Sequence, residues 1–280
     1  MIFKVPATSA NVGCGFDFLG FAVDLFLTVE ILGDSQDWEI IHDLPRDIPT
    51  DETNLIIATA LKVEPSLMPK KIKVTNEIPL SRGLGSSSSA IVAGIGIADY
   101  LGNLNLTLDE KLELACRFEG HPDNVAPALL GGFVVSSYFD GKLSYVKMNL
   151  DNLGIVAFVP NKKLSTSDMR KVLPNNLPFG QAVLSSAISS TMVAHLFSKN
   201  YIQAGKLIEK DLLHEPYRKI LLPELETVRE LGKKHNAYAT YISGAGSTVM
   251  TLLPPDDVGD FSHELSKFPD GCVKILKMID

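Results

Sequence analysis

The sequence predicts an α+β protein of two closely packed lobes, and three observations carry that prediction. Strand-like and helix-like runs are mixed through the first half. A second series of helices and strands opens near Gly154. No repeat, low-complexity tract or long linker separates the halves, so residues 1–153 and 154–280 are expected to pack against each other with a site between them.

In chain order, residues 2–7 and 28–32 read as short strands and 54–63 as a helix. A strand-like run at 71–78 leads through a glycine- and serine-rich loop into a helix over 87–101. Leu108, Leu112, Ala115 and Phe118 recur at helical spacing and predict a helix over 108–119. Asp140-Gly141 between two strand-like runs, 133–139 and 142–148, is a strong hairpin signal. The second half begins with a strand at 155–159, followed by helices at 181–197, 202–212 and 224–235. Strands at 237–242 and 248–253 enclose Ser243-Gly-Ala-Gly-Ser247, and a helix near 257–267 and a strand at 273–279 close the chain.

Bulk properties narrow the function. A chain of 280 residues can bury a sizeable core, and 45% hydrophobic with 21% charged residues is ordinary for a globular protein. A net charge of −7 without a basic block argues against nucleic acid or an anionic membrane as partner. Three separated cysteines without a C-x-x-C pair fit a reducing compartment. With no apolar leader and no apolar span of membrane length, a cytoplasmic location is expected. The six histidines lack metal-ligand spacing, and no G-x-S-x-G hydrolase elbow occurs.

The most informative segment is Pro79, Leu80, Ser81, Arg82, Gly83, Leu84, Gly85, Ser86, Ser87, Ser88 and Ser89, running into an apolar helix. Unhindered backbone N–H groups, hydroxyls and a helix N-terminus converge there, which is what a triphosphate needs. A Ser-rich helix cap would use the same residues, although one serine suffices for a cap. The segment lacks the lysine of a Walker loop, and Ser88 stands where a dinucleotide fingerprint requires its third glycine.

Two further glycine-bearing loops, Pro6 to Gly20 and Ser243 to Thr248, join it, each hinged on a strand-like run. With these three motifs in order, and with Glu119-Gly-His-Pro-Asp-Asn-Val-Ala-Pro127 between them, the chain resembles the GHMP kinase superfamily over nearly its full length, most closely its homoserine-phosphorylating branch. The resemblance implies an N-terminal lobe like domain 2 of ribosomal protein S5 and a ferredoxin-like C-terminal lobe. It implies an ATP- and Mg²⁺-dependent kinase acting on the side-chain hydroxyl of L-homoserine in threonine biosynthesis, with a homodimer left open.

Carried over residue by residue, the resemblance implies that the 79–89 loop wraps the triphosphate and that Asn54 lies on the adenine side. Charge-assisted hydrogen bonds of about 1.5–3 kcal/mol each would hold the phosphates without a lysine. Ser87 and Glu113 become the Mg²⁺ ligands, although Glu113 by itself also reads as an i,i+4 partner of Arg117. Asn124 stands where the mevalonate and galactose branches have an aspartate, so it would orient the attacking hydroxyl rather than deprotonate it. Asn124 also suits a helix cap, and Asp123 is a rival base. Arg170 and Arg218 are the implied carboxylate binders and Asn11 and Asp17 the ammonium partners, with His121 and Thr166 nearby. The Ser243 to Thr248 loop is expected to steady the phosphate loop. Cys14 replaces the family's usual proline, and an exposed thiol there would make the site sensitive to alkylation. A mevalonate-type sibling kinase and a silent ATP-binding sensor are the alternative readings.

Overall fold

In the computed structural model, which describes residues 1–280, β1 (Ile2–Ala10) and the sixteen-residue β2 (Leu19–Asp34) pair antiparallel as the spine of the first sheet. Pro6 cannot donate to a ladder, and the register slips between Pro6 and Ala7, where a bulge accommodates it. Both strands outrun their expected lengths because β2 begins within the first glycine loop. β3 (Glu39–Ile41) lies parallel to β4 (Lys70–Asn76), which pairs with the far end of β2. The near end of β2 pairs with β5 (Phe133–Phe139), and β6 (Lys142–Met148) completes the predicted hairpin.

Four helices cover this sheet: α1 (Leu55–Val63), α2 (Ser86–Gly102), α3 (Leu108–Glu119) and α4 (Pro122–Leu130). α3 has the span its periodicity predicted, and its ends explain why. Thr107 and Glu110 form a reciprocal capping box, and Gly120 at φ +91° ends the helix in the left-handed region. Such a cap contributes about 1 kcal/mol.

The second sheet contains β7 (Gly154–Pro160), β8 (Ala239–Ile242), β9 (Val249–Leu253) and β10 (Gly271–Leu276) in the antiparallel order β10-β7-β9-β8. With helices entering before β8 and β10, this is the ferredoxin-like arrangement. The helices are α5 (Thr166–Lys171), α6 (Phe179–Phe197), α7 (Tyr201–Ile208), α8 (Glu215–Arg218), α9 (Glu224–Lys234) and α10 (Val258–Leu265). β7 is buried throughout because it is covered on both faces. Ile155, Ala157 and Val159 join a core with Met192, Leu196 and Ile208 that runs on into the first lobe. Val156 and Phe158 join a second core with Leu225, Val228 and Phe261.

The helix expected to reach residue 212 stops at Ile208. Asp211 accepts hydrogen bonds from the backbone N–H groups of Leu213, His214 and Glu215, so it starts the next turn instead of extending the last one. The final residues return to the first sheet. Asp24 N donates to Lys277 O and Ile279 N to Ala22 O, filling the stretch of β2 between its β4 and β5 pairings. No helix is long and apolar enough to cross a membrane.

Candidate active site

Three loops predicted from sequence meet around one cavity of about 410 Å³. At its centre is the turn into α2. Gly83 and Gly85 have φ values of +75° and +69°, the left-handed region that other residues avoid. Space enforces the same choice. A Cβ on Gly83 would lie 2.1 Å from Ser243 O, and one on Gly85 would lie 2.0 Å from Thr8 Oγ1. The residues from Leu80 to Ser88 line the cavity, with the first-turn amides of α2 behind them. Pro79 and Ser89, expected in the nucleotide loop, do not line it: Ser89 Oγ donates instead to Pro6 O at 2.8 Å.

The Ser243 to Thr248 loop braces this turn as expected. Thr248 N donates to Arg82 O at 2.9 Å and Ser243 Oγ to Gly83 O at 2.7 Å. Gly244, Ala245 and Gly246 also form part of the wall. Arg82 crosses to the other lobe, donating to Pro160 O at 2.8 Å and Asn161 O at 2.5 Å. Leu44, Ile48, Leu55 and Val74 add apolar wall to the same cavity. Asn54 also lines it, but both ends of its amide are engaged: Oδ1 caps α1 at Ile56 N and Nδ2 donates to Pro49 O. It shapes the wall rather than offering a free polar group.

The other end of the cavity gathers the acceptor residues expected from sequence: Asn11, Asp17, His121, Asn124, Thr166, Arg170 and Arg218, with Asp123. Arg170 holds Asp17 through two hydrogen bonds of 2.9 and 3.2 Å. His121 Nδ1 donates to Asp123 Oδ1 at 2.5 Å. Burial opposes the charged imidazolium, but the bond to Asp123 and the charges of Asp123, Asp17 and Glu119 outweigh it and raise the His121 pKa. Asn11 Nδ2 donates to Gly244 O and its Oδ1 accepts from Asp17 N, so its amide pins the two loops together.

Arg218 is 2% exposed and touches no carboxylate. Its Nε donates to Met169 O, and Nη1 donates to Gly244 O and to His214 Nδ1. Since His214 Nε2 faces the Gly13 carbonyl at 2.8 Å, Nε2 carries the proton and Nδ1 keeps its lone pair for Arg218. Burial, then the charge of Arg170, lowers the Arg218 pKa to about 10, still cationic at neutral pH. The Phe16 ring lies 5.3 Å from the Arg218 guanidinium carbon and 5.7 Å from that of Arg170. A buried cation with no carboxylate in direct contact, on the wall of a cavity, suits an anionic group.

Two further expectations change. Glu113 is half-buried on α3 and does not line the cavity, whereas Glu119 at the end of the same helix does. Burial raises the Glu119 pKa, against the lowering effects of His121 and of a Ser88 hydrogen bond, which puts its carboxyl group beside the phosphate loop. Glu119 stands at the head of the tract Glu119-Gly-His-Pro-Asp-Asn124, whose His121, Asp123 and Asn124 line the same cavity. Cys14 is not exposed near the site. It is 1% accessible, and burial followed by the charge of Asp211 pushes its thiol up to about 12. The first loop folds inward, so the thiol fills space, and alkylation of the native protein there is not expected.

A glycine- and serine-rich turn at a helix N-terminus and a buried arginine, on the wall of one cavity lined by both halves of the chain, fit a small-molecule phosphotransferase. Residues 54–132 match the GHMP kinases N terminal domain and residues 192–271 the GHMP kinases C terminal domain; the chain belongs to the GHMP kinases. Kinase chemistry makes ATP the co-substrate. Homoserine kinase from Lactococcus lactis (strain IL1403) is 52% identical across 94% of this chain and 90% of its own length. The solved homoserine kinase from Cytophaga hutchinsonii is 29% identical, with a TM-score of 0.84 over 99% of this chain and 95% of that one. A solved chain from Listeria monocytogenes is 40% identical, with a TM-score of 0.88 over 99% and 96%.

Proposed function

We infer that this protein transfers the γ-phosphoryl group of ATP to the side-chain hydroxyl of L-homoserine, giving O-phospho-L-homoserine and ADP, a step of threonine biosynthesis. The observation that carries this reading is the acceptor pocket. Arg218, in no ion pair, offers a cation to a carboxylate, and the Arg170–Asp17 pair and the Asp123 carboxylate beside His121 line the same cavity as Asn124 and the phosphate loop, where an amino acid's two charges would exchange with the Arg170–Asp17 pair. A mevalonate-type acceptor has no ammonium to take the place of Arg170 beside Asp17.

The reaction is an in-line displacement. The homoserine oxygen bonds to the γ-phosphorus as the bond to the bridging β–γ oxygen breaks, ADP leaves, and the hydroxyl proton passes late to a phosphate oxygen. The amides of α2 and the hydroxyls of Ser86, Ser87 and Ser88 bind the phosphate oxygens. Ser87, exposed to the cavity, and Glu119 are a hydroxyl and a carboxylate of the kind Mg²⁺ accepts while retaining waters. Ser87 and Glu119 would hold a Mg²⁺ ion whose charge would offset that of the phosphates, and Glu113, off the wall, is left out of that pair. Asn124 aligns the hydroxyl, and alignment with charge stabilisation suffices for a loose transition state.

The test is ADP release with homoserine, its deaminated analogue 4-hydroxybutyrate, mevalonate and galactose offered in turn. Homoserine should support turnover, and the deaminated analogue should lose roughly 10- to 150-fold in kcat/KM, the scale of a lost charged contact. No release above the acceptor-free blank would remove the reading.

A further inference from the structure

We propose that Thr8 is a positioning residue that fixes the Asn124 side chain as an N–H donor to the reacting centre. The inference deepens the homoserine-kinase reading and rests on it. Thr8 lies on β1, fully buried, where its backbone N–H donates to Leu84 O in the phosphate loop at 3.2 Å. Its hydroxyl is wedged between that loop and Asn124. Thr8 Oγ1 donates to Asn124 Oδ1 at 2.8 Å, and a Cβ added at Gly85 would strike the same hydroxyl oxygen at 2.0 Å.

The two ends of the Asn124 amide have a single consistent assignment. Asp123 Oδ1 lies 3.3 Å from Asn124 Nδ2 and already accepts the proton of His121 Nδ1. An ionised carboxylate has no hydrogen to offer. Rotating the amide by half a turn would set Asn124 Oδ1 against Asp123 Oδ1, oxygen against oxygen without a proton between them. Asp123 therefore requires the NH₂ group on its own side, and the Thr8 hydroxyl occupies the carbonyl end. One Nδ2 hydrogen goes to Asp123 and the other is left for the cavity that Asn124 lines. Asn124 thus presents a donor to an oxygen of the acceptor or of the transferring phosphoryl group. Without the hydroxyl the amide is held at one end only, and alignment loosens where small displacements are costly.

Thr8→Ser and Thr8→Ala both lose the methyl group and differ only in the hydroxyl, so comparing them isolates the hydrogen bond. Thr8→Ser should retain kcat within about 3-fold, and Thr8→Ala should fall roughly 10-fold below it, as one hydrogen bond warrants, with the KM for ATP little changed. In an Asn124→Ala background the same two variants should differ in kcat by less than about 2-fold, because the partner is gone. Should Thr8→Ala fail to fold, Thr8→Cys, whose thiol is a weak donor, takes its place with the same expectations. Equal kcat for the two variants, or a 10-fold step that persists without Asn124, overturns the proposal. Both outcomes presuppose homoserine-dependent turnover by the unaltered protein, whose absence would sink the underlying reading instead.

Discussion

At the acceptor end of the cavity, single side chains set the chemistry through charge. Arg218 stays cationic in a nearly inaccessible position because the charges of Asp17, Asp211 and Asp123 offset part of the cost of burial, while its hydrogen bonds go to two carbonyls and a neutral histidine and to no carboxylate. Glu119 is the acid that faces the phosphate loop. Glu119→Gln is expected to raise the Mg²⁺ concentration for half-maximal activity roughly 10-fold, the scale of a lost charged oxygen ligand, and Glu113→Gln to leave it nearly unchanged. A Mg²⁺ titration of homoserine-dependent ADP release checks this, and the reverse ranking would restore Glu113. The family resemblance, not spacing, singled out Arg170, Arg218 and Asn124, and all three line the cavity. It could not show that Asn54 spends its amide on a helix cap, or that Cys14 is turned inward, because both depend on how a loop packs.

Among the elements, the turn into α2 is held from three sides: by β1, by the Ser243 to Thr248 loop and by the end of β7. Gly83 and Gly141 share a φ of +75°, yet a Cβ on Gly83 meets Ser243 O at 2.1 Å while one on Gly141 meets nothing within 4 Å. Gly141→Ala should therefore cost only about 1 kcal/mol of backbone strain. Gly83→Ala should cost more, lower the melting temperature further and raise the KM for ATP. Thermal scans with ATP kinetics on both variants test this; equal effects would mean that the bracing contact is not maintained. Elements with local punctuation were readable in advance. α3 carried its own capping box and terminal glycine, and the β5–β6 hairpin its Asp-Gly turn. The full length of β2 was not, since its first residues lie in what reads as a glycine loop and become a strand only by pairing with β1 and β5.

Across the whole molecule the lobes are tied by a shared core, by the returning tail and by a buried chain of groups from the first loop to α8. His214 belongs to that chain, between the Gly13 carbonyl and Arg218. Burial lowers its pKa, and the Arg218 charge adds to this while Asp211 opposes it. Above about pH 6.5 the imidazole is neutral in both folded and unfolded chains. Below that, the unfolded chain takes up a proton that the folded one resists, so stability falls as the pH drops toward the depressed value. His121 has a raised pKa and acts in the opposite sense, gaining stability on acidification. Melting temperatures between about pH 7.5 and 5 should decline less steeply in His214→Gln than in the unaltered protein; identical slopes would show that His214 does not control the acid limb. Two lobes could be read from the order of elements, but the return of residues 277–279 to β2 could not, because edge pairing across the whole chain leaves no local pattern.

The account stands on one reaction, phosphoryl transfer to the side-chain oxygen of an amino acid. Phosphorus NMR of the protein incubated with ATP, Mg²⁺ and L-homoserine tests it most directly. The predicted result is a new phosphomonoester, coupled to the methylene protons next to the side-chain oxygen, in equal amount to ADP. Inorganic phosphate and ADP without that ester, or no consumption of ATP, would contradict it.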